Sequence, residues 1–284
     1  MKFSIIGPSG YIAKRHIAAI ERLESSSIYS YLDIQDSDFS VKTDKSKFFS
    51  DPKEFFKDLE INPINFLIIC SPNHLHFNQI SRAIEIGIPV ICEKPICINL
   101  EDLEVLSLLP DNKRDLIHSI MQLRLHPVAG QIRDLISSNQ SSINANIQFV
   151  TRRDDAYKKS WKVTREFSGG ILFNLGIHYF DLIFNALGQP HDSKIEILDD
   201  FTAKGITSFS KGQLNWFFSI DDQYLNEAQN TIREFSIDNA KIDFSTVSED
   251  LHYLNYLEII NNNKFKFKEM YNVHQYIANL YKHV

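Results

Sequence analysis

The sequence predicts an α/β protein of two parts: a doubly wound parallel sheet, then an α+β domain with an open, mainly antiparallel sheet. Over residues 1–122, short apolar runs typical of strands alternate with amphipathic runs typical of helices, which is the pattern of parallel βαβ units. Over residues 123–284, two helical runs lead into several strand-like runs with no clear helix between them, which favours antiparallel pairing. The change of pattern places the domain boundary between residues 122 and 123.

The predicted elements follow in order along the chain. In the first domain, strands are predicted at MKFSII, IYSYLD, NFLIIC and IPVICEKP, and helices at AKRHIAAIERLE and HLHFNQISRAIEIG. In the second domain, a helix at RLHPVAGQIRDLISS and a strand at INANIQFVTR precede a long helix, SGGILFNLGIHYFDLIFNALG, with Ser168 as its expected N-cap and Gly188 at its end. Strands are then predicted at KIEILDDF, SFSKGQLNWFFSI, NTIREFSID and AKIDFSTV, before a closing helix, VHQYIANLYKHV.

Composition excludes several classes of protein. The chain has 284 residues, 43% of them hydrophobic, and a formal net charge of −6. This charge argues against a nucleic-acid partner, which requires a basic surface. The longest apolar runs are too short to cross a bilayer and no leader-like segment precedes the first strand, so we expect a cytoplasmic protein with no membrane partner. Cys70, Cys92 and Cys97 lack a metal-type spacing, so we expect reduced thiols and no metal site.

A glycine turn follows the first predicted strand. In GPSGYIA, Gly7 ends the strand, Gly10 precedes the helix and Ala13 lies three residues further on, with Ser9, Tyr11 and Ile12 between them. Such a turn lets the backbone approach a dinucleotide pyrophosphate at a helix N-terminus, as in a Rossmann domain. The spacing departs from the usual G-x-G-x-x-G/A, and these residues alone are equally compatible with a ligand-free strand–turn–helix connection.

An acidic residue follows the second predicted strand, where a dinucleotide fold binds the ribose. Asp33 in YLDIQD has the position of a carboxylate that accepts hydrogen bonds from ribose hydroxyls and repels a 2′-phosphate, which favours NAD over NADP. Asp36 is close enough to share this role. A plain turn beginning at Asp33 is the alternative.

Two further segments follow predicted parallel strands, whose carboxyl ends face the ligand crevice of such a sheet. CSPNHLH places Ser71, Pro72 and Asn73 there, and ICEKP places Glu93 and Lys94 there. The structural alternatives are a Pro-Asn turn in which Asn73 caps the next helix, and a solvated Glu-Lys turn.

The long helix of the second domain carries a polar stripe on an otherwise apolar surface. Asn174, His178 and Asp181 fall at positions i, i+4 and i+7, which project from one face of an α-helix. Polar groups buried on such a face need partners. From periodicity alone, a satisfied core network and a substrate site are both compatible with the stripe.

These motifs together resemble the Gfo/Idh/MocA oxidoreductase family: GPSGYIAKRH, SPNHLH, EKP and NLGIHYFD occur in its order and spacing. Within that family, GYIAKRH, QLRLHP and SWKVTREFSGGILFNLGIHYFD resemble the UDP-N-acetylglucosaminuronate 3-dehydrogenases, whose glycine turn also has the extra residue. The resemblance implies NAD as the cofactor. It implies oxidation of the C3 hydroxyl of a UDP-linked N-acetylamino uronic acid (UDP-N-acetyl-2-amino-2-deoxy-D-glucuronate). The product would serve the synthesis of lipopolysaccharide O-antigen or capsule. Many family members have Asp where this chain has Asn174.

The resemblance also implies which residues form the site. Lys94 and His178 are the predicted catalytic residues, and the sequence does not decide which of them is the base. Because the substrate carries a diphosphate and a carboxylate, cationic residues of the second domain are candidates to bind it. These candidates are Arg124, Arg152, Arg153, Lys158, Lys159, Lys162 and Arg165. The predicted substrate-binding residues are Asn174, Arg124, Tyr157, Lys162 and Asp181, and the predicted cofactor-binding residues are Gly7, Ser9, Gly10, Tyr11, Ile12, Asp33, Ser71, Pro72, Asn73, His76, Glu93, Lys94 and Gln122.

The resemblance further implies a pyridoxal-phosphate aminotransferase that consumes the ketone and a 2-oxo acid that reoxidises the cofactor. An exposed apolar sheet face would favour self-association, so a homodimer or homotetramer is expected. The alternatives are another sugar or inositol dehydrogenase or keto-sugar reductase of the family, and a non-catalytic NAD-binding sensor. The presence of both Lys94 and His178 argues against the sensor.

Overall fold

The computed structural model of the chain describes residues 1–36, 38–40, 42–245 and 250–282, and these divide into two compact units. The first unit holds the described residues of Met1–Cys97, Glu101–Gln122 and Glu249–Tyr271, and the second those of Ile98–Leu100, Leu123–Ser248 and Asn272–Val284. The chain passes from the first unit to the second between Gln122 and Leu123, where the domain boundary was predicted. The division differs from the predicted second domain, residues 123–284, because a late segment of the chain belongs to the first unit.

The secondary structure comprises the following elements. The strands are β1 (Lys2–Ile6), β2 (Ser27–Leu32), β3 (Lys47–Phe49), β4 (Phe66–Ile69), β5 (Val90–Cys92), β6 (Ile117–Ser119), β7 (Ile143–Thr151), β8 (Pro190–Leu198), β9 (Thr202–Phe209), β10 (Gly212–Ser219), β11 (Thr231–Ile237) and β12 (Ala240–Lys241). The helices are α1 (Ala13–Glu21), α2 (Pro52–Ile61), α3 (His76–Glu85), α4 (Leu100–Ser107), α5 (Asp111–Arg114), α6 (Pro127–Ser138), α7 (Asp155–Lys158), α8 (Arg165–Ser168), α9 (Ile177–Leu187), α10 (Leu251–Asn262) and α11 (Phe267–Tyr281). Short 3₁₀ turns lie at Asn73–Leu75, Gln122–Leu125 and Asp222–Tyr224.

The first unit is built on a six-stranded sheet in the order β3-β2-β1-β4-β5-β6. Every pairing in it is parallel, which confirms the predicted doubly wound sheet. The order reverses between β1 and β4, and ligands of such sheets bind outside the carboxyl ends of the strands at this point. The central strands are short apolar runs because helices cover both faces: Leu67, Ile68 and Ile69 are fully buried.

The second unit is built on a mixed sheet in the order β12-β11-β7-β10-β9-β8. Only β7 and β10 pair in parallel among the described strands of this sheet; the other pairings are antiparallel, as predicted. One face is covered by aromatic packing. Trp216 and Phe218 of β10 point to that side and contact Phe180 of α9 edge-on, and all three are buried. The core of this unit therefore lies between the sheet and α9.

The opposite face of this sheet is mixed: polar side chains lie beside half-exposed Ile206 and Phe217. Asn215 lies beside Asn146 in the β10–β7 register, and its amide donates to the side-chain oxygens of Asn144 and Asn146, each at 2.9 Å. Lys204 forms an ion pair with Glu196 on the neighbouring strands. The homodimer or homotetramer stays a prediction.

The segment predicted as one long helix from Ser168 is interrupted. Ser168 is the last residue of α8, and Gly169 (φ +83°) ends that helix in the left-handed conformation, so the predicted N-cap role of Ser168 is wrong. A π-helical turn at Leu172–Gly176 then leads into α9, which ends at Gly188 as predicted. The stretch Arg165–Leu187 is long and apolar enough to cross a membrane, but most of it is buried inside the structure.

Candidate active site

The glycine turn after β1 packs against the end of β4. Gly7 has φ +76°, and a Cβ there would lie 3.1 Å from the carbonyl oxygen of Cys70. The N–H of Gly10 donates to the oxygen of Gly7, and the N–H of Ala13 to that of Gly10, each at 3.1 Å. Within the described residues, no side chain caps the N-terminus of α1. Without a side-chain cap, the start of α1 keeps the arrangement of a dinucleotide fold, in which a pyrophosphate binds at the helix N-terminus.

Asp33 follows β2 directly and reaches the glycine turn. One carboxylate oxygen accepts hydrogen bonds from the N–H (3.0 Å) and hydroxyl (2.7 Å) of Ser9, and the other accepts from the N–H of Ile34 (2.7 Å). A carboxylate offers about four acceptor positions, so one is left for a ribose hydroxyl. Asp36 instead contacts the Tyr31 hydroxyl and pairs with Lys42. The geometry thus favours Asp33 over Asp36 as the ribose ligand.

The loop that follows β4 is fixed by hydrogen bonds within the first unit. The Ser71 hydroxyl donates to Gln79 at 2.6 Å, and Asn73 begins a 3₁₀ turn that leads into α3. His76, a predicted cofactor-binding residue, is fully buried, with its ring nitrogens 2.7 Å from the oxygen of Pro95 and 2.8 Å from that of Ser71. Burial lowers the pKa of His76. The ring joins the loop after β4 to the loop after β5.

Glu93, which follows β5, is the centre of a buried cluster. One carboxylate oxygen lies 2.8 Å from Nε2 of His16 on α1 and 3.3 Å from Nε2 of His252 on α10. The other oxygen accepts from the backbone N–H of Lys94 at 3.2 Å. Burial alone would raise the pKa of Glu93, but the hydrogen bonds from His16 and His252 hold it well below its ordinary value. The ionised carboxylate therefore fixes the backbone at Lys94.

The His16, Glu93 and His252 side chains could in principle ligate a metal ion, because their ligand atoms lie within 4.8 Å of one another. Hydrogen bonds already satisfy these atoms. Since an ionised carboxylate only accepts, both Nε2 atoms carry protons, and Nδ1 of His16 then accepts from the Tyr256 hydroxyl at 2.9 Å. Burial lowers the pKa of His16, which keeps this ring neutral. The geometry describes a closed hydrogen-bond network that positions Lys94.

Gln122 supplies an observation that points to a ligand. Its side-chain oxygen is shielded from solvent and has no hydrogen-bond partner among the described residues. A buried amide oxygen in this condition calls for a donor. The residues of the first unit thus fit NAD. The turn at Gly7 and Gly10 would hold the pyrophosphate and Asp33 the ribose. The side-chain oxygen of Gln122 would accept a hydrogen bond from the carboxamide N–H of the nicotinamide. Tyr11, also predicted to bind cofactor, lies exposed beside the turn, and Ile12 is half-buried.

The polar stripe of the second unit is divided by the π-helical turn. The Asn174 amide donates to the carbonyl oxygen of Lys162 at 2.8 Å, and His178 is half-buried. Asp181 is buried in a two-point ion pair with Arg124, at 2.7 and 2.6 Å. The structure thus brings two predicted substrate-binding residues, Arg124 and Asp181, to each other. Their assignment to substrate is a prediction that this geometry does not test.

The remaining predicted substrate-binding residues lie together in the second unit. The Lys162 ammonium is 5.4 Å from the ring centre of Tyr157, and the Arg153 guanidinium is 4.6 Å from the same ring. Burial lowers the pKa of Lys162, and the charge of Arg153 lowers it further. Sequence reasoning placed Arg153 among the cationic candidates without selecting it. From the sequence, His16, His252 and Tyr256 were not identified as part of a network. His16 lies in the motif GYIAKRH, but its partners His252 and Tyr256 come from a distant segment that carries no recognisable motif.

The glycine turn, the carboxylate of Asp33 after the second strand and the sheet order define the class: a protein with a Rossmann domain of the dinucleotide-binding type. Family profiles match both parts of the chain. Residues 1–118 match the oxidoreductase family described as the NAD-binding Rossmann fold of Gfo/Idh/MocA proteins, and residues 141–200 match the C-terminal alpha/beta domain of that family. The chain belongs to the Gfo/Idh/MocA oxidoreductase family, and its first domain is the NAD-binding domain of that family.

Solved structures and curated proteins give more particular similarities. The WlbA (WbpB) dehydrogenase from Thermus thermophilus is 27% identical, over 99% of this chain and 94% of that one. Its complex with NAD and alpha-ketoglutarate matches with a TM-score of 0.88, and its complex with NAD and UDP-GlcNAcA with a TM-score of 0.86.

Two curated relatives match over a shorter stretch. An uncharacterized oxidoreductase, ORF334 of Rhizobium meliloti, is 32% identical over 44% of this chain, and the glucose-6-phosphate 3-dehydrogenase of Bacillus subtilis is 25% identical over 64% of it. The matched segments span 36% and 53% of those two proteins.

Proposed function

We propose that the protein is an NAD-dependent sugar-nucleotide dehydrogenase that oxidises the C3 hydroxyl of a UDP-linked N-acetylamino uronic acid to the 3-keto sugar. One observation carries the proposal: the similarity to the Thermus thermophilus dehydrogenase, crystallised with NAD and UDP-GlcNAcA, extends over 99% of the chain. The name of the Bacillus subtilis relative, a 3-dehydrogenase of glucose 6-phosphate, supports oxidation at C3 of an anionic sugar.

Each proposed catalytic residue has a role suited to its chemistry. NAD, when bound, accepts the hydride from the sugar carbon. His178 takes the hydroxyl proton, since a neutral imidazole is the commonest general base. Lys94 donates a hydrogen bond to the C3 oxygen and stabilises the developing alkoxide charge. In the alternative assignment Lys94 is the base.

Other residues of the chain bind and orient. Asn174, held by its hydrogen bond to the Lys162 carbonyl, orients the sugar with its side-chain oxygen. Tyr157, Lys162 and the Arg124–Asp181 pair complete the substrate-binding set. A 2-oxo acid reoxidises the cofactor, as the complex of the Thermus thermophilus protein with alpha-ketoglutarate suggests.

The proposed biological setting follows from the product. A pyridoxal-phosphate aminotransferase converts the ketone to an amine for a bacterial surface polysaccharide, and the reaction takes place in the cytoplasm. The enzyme acts as a homodimer or homotetramer.

The test begins with calorimetric titration of the NAD-loaded protein with UDP-N-acetylglucosaminuronate, with UDP-N-acetylglucosamine, glucose 6-phosphate and myo-inositol as comparisons. Mass spectrometry then follows loss of two hydrogens from each ligand in the presence of 2-oxoglutarate. We expect preferential binding and oxidation of the uronate. Oxidation of glucose 6-phosphate alone would replace the proposed substrate, and NAD binding without oxidation of any ligand would favour a sensor.

Substitution of the proposed catalytic residues separates chemistry from cofactor binding. Lys94→Ala and His178→Ala should each lower turnover by about 10²-fold or more, the usual contribution of a positioned acid or base. NAD affinity should fall far less than turnover in both variants, although Lys94 is also among the predicted cofactor-binding residues. A parallel loss of turnover and NAD affinity in either variant would contradict its catalytic role.

A further inference from the structure

The cationic residues of the second unit fall into two groups according to their partners. Arg152 and Lys158 both contact the carboxylate of Asp222, at 3.4 and 3.1 Å. Arg124 is neutralised by Asp181 in a buried pair. These three cations already have anionic partners within the unit, so their charges are balanced without a ligand.

Two more of the cationic candidates are accounted for by their surroundings. Arg165 donates to the carbonyl oxygen of Tyr281 at 2.7 Å and lies over the ring of that tyrosine. Lys159 is exposed to solvent. Arg153 and Lys162 are left, and within the described residues neither of them forms an ion pair with a carboxylate.

Arg153 and Lys162 lie close enough to repel each other. Both are half-buried around one ring, with the Arg153 guanidinium 4.6 Å and the Lys162 ammonium 5.4 Å from the centre of Tyr157. The Nε atom of Arg153 is shielded from solvent and has no hydrogen-bond partner within the described residues. Asp154, the acidic residue next to Arg153, uses a side-chain oxygen to cap α7. The charge of Asp154 also acts on Lys162, but burial and the charge of Arg153 outweigh it and lower the pKa of Lys162, so a bound anion would stabilise the two cations.

The backbone connects this pair to the predicted sugar-binding segment. Asn174 donates to the carbonyl oxygen of Lys162 at 2.8 Å, which ties the cationic segment to the π-helical turn before His178. An anion held by Arg153 and Lys162 would thus be bound next to the segment that carries Asn174.

We propose that Arg153 and Lys162, arranged around Tyr157, form the subsite for an anionic group of the substrate. The inference rests on the proposed function, because an acidic sugar nucleotide supplies such a group. Two sources share this chemistry, the uronate carboxylate and the diphosphate. Arg153 offers a planar fork suited to either of them, and Lys162 adds a point charge.

The test compares Arg153→Gln and Lys162→Gln with Lys159→Gln, which removes the same charge from an exposed position nearby. Calorimetry of the NAD-loaded proteins with UDP-N-acetylglucosaminuronate should show affinity falling about 10- to 100-fold in the first two variants, as for loss of a charge-assisted hydrogen bond. Lys159→Gln should bind like the wild type. Arg153→Lys keeps the charge without the fork, so its affinity should be intermediate.

UDP-N-acetylglucosamine, which lacks the carboxylate, distinguishes the two sources. If Arg153→Gln and Lys162→Gln weaken only the uronate, the subsite holds the carboxylate; if they weaken both nucleotides equally, it holds the diphosphate. Wild-type affinity in both variants, measured on folded protein by thermal unfolding, would overturn the subsite and leave the proposed function standing.

Failure of the proposed function has a different signature. If the wild-type protein binds neither nucleotide, pyrophosphate and glucuronate replace them as probes in the same titrations. Binding of either probe that Arg153→Gln weakens would support an anion subsite for another substrate. Absence of binding of both probes to the wild type would overturn it.

Discussion

The two units each contain a glycine turn that precedes a helix with predicted site residues, and the turns are enclosed differently. A Cβ at Gly7 would meet only backbone atoms of Cys70 and Ser71, the nearest at 3.1 Å. A Cβ at Gly170 (φ +91°) would meet the hydroxyl and ring of Tyr281. That hydroxyl accepts from the N–H of Leu172 at 3.0 Å. The first turn is bounded by backbone, and the second is filled by a side chain.

This difference indicates two uses of glycine. At Gly7 the missing side chain lets one loop approach another strand end and leaves the helix N-terminus uncapped, as a ligand site requires. At Gly170 the missing side chain makes room for Tyr281, whose hydroxyl takes the place of a helix cap. Where a side chain of the protein already accepts hydrogen bonds from the first N–H groups of a helix, no ligand is needed there.

The largest loss of stability is expected at Gly170, where the side chain of Tyr281 fills the space that a Cβ would occupy. Gly170→Ala should lower the free energy of unfolding by about 3 kcal/mol or more, because the new methyl group meets buried Tyr281 and the backbone is in a left-handed conformation. Urea unfolding measures the loss. Gly188→Ala is the control, since Gly188 has φ +85° with no atom within 4 Å of a Cβ. Equal losses in the two variants would refute packing by Tyr281.

A smaller loss is expected at the first turn. Gly7→Ala should cost about 2 kcal/mol of unfolding free energy, from the left-handed backbone and the contact with Cys70, and should weaken NAD binding about 10-fold. Gly87 has the same φ, +76°, in open space, so Gly87→Ala isolates the backbone contribution at about 1 kcal/mol with unchanged NAD affinity. An identical effect of both substitutions on NAD binding would remove the special role of the first turn.

The ribose carboxylate gives a test that concerns binding alone. Asp33→Asn should weaken NAD binding about 10-fold, or about 1.4 kcal/mol, and should reduce the preference over NADP. Asp36→Asn is the matched control, because Asp36 pairs with Lys42 outside the turn. The measurement is fluorescence titration with both dinucleotides. A larger effect at Asp36 would assign the ribose to that residue.

The smallest effect is a pH dependence of stability that arises from His16 on α1, the helix that follows the first glycine turn. His16 is buried on α1, and burial lowers its pKa, so acidification protonates it in the unfolded chain before the folded one. The unfolded state then binds more protons, and stability falls as the pH drops below about 6.5. Between pH 7 and 5.5 the wild type should lose up to about 1 kcal/mol more than His16→Gln. Parallel stability curves for the two proteins would contradict the neutral buried ring.

The sequence was sufficient where the signal is local. Alternating apolar runs predicted both sheets, since each strand carries its own pattern. The glycine turn and Asp33 belong to one βαβ unit, and the structure joins them through Ser9. The polar side of β7 alone follows from the alternation in INANIQFVTR, where Asn144, Asn146 and Gln148 share one side of the strand.

The sequence was insufficient where distant segments decide the structure. Glu93 and His252 are separated by 159 positions, and no local pattern places α10 beside α1. The Ser-Gly-Gly stretch looks like a helix start, but Tyr281, 109 positions after Leu172, supplies the acceptor. Which carboxylate pairs with which cation also depends on segments far apart in sequence, as the ion pairs of Arg124 with Asp181 and of Arg152 with Asp222 show.

The π-helical turn has a consequence for how relatives of this chain are compared. The N–H of Ile177 donates to the oxygen of Leu172, five positions back, so the turn contains one residue more than an α-helical turn. Loss of one residue between Leu172 and Gly176 would restore the regular α-helix and leave the segments on its two sides in the same phase, because the wider turn takes up the extra residue. Two sequences with the same Asn and His but a spacing that differs by one can therefore present them on the same face. A single-residue gap at this place does not by itself indicate a different site.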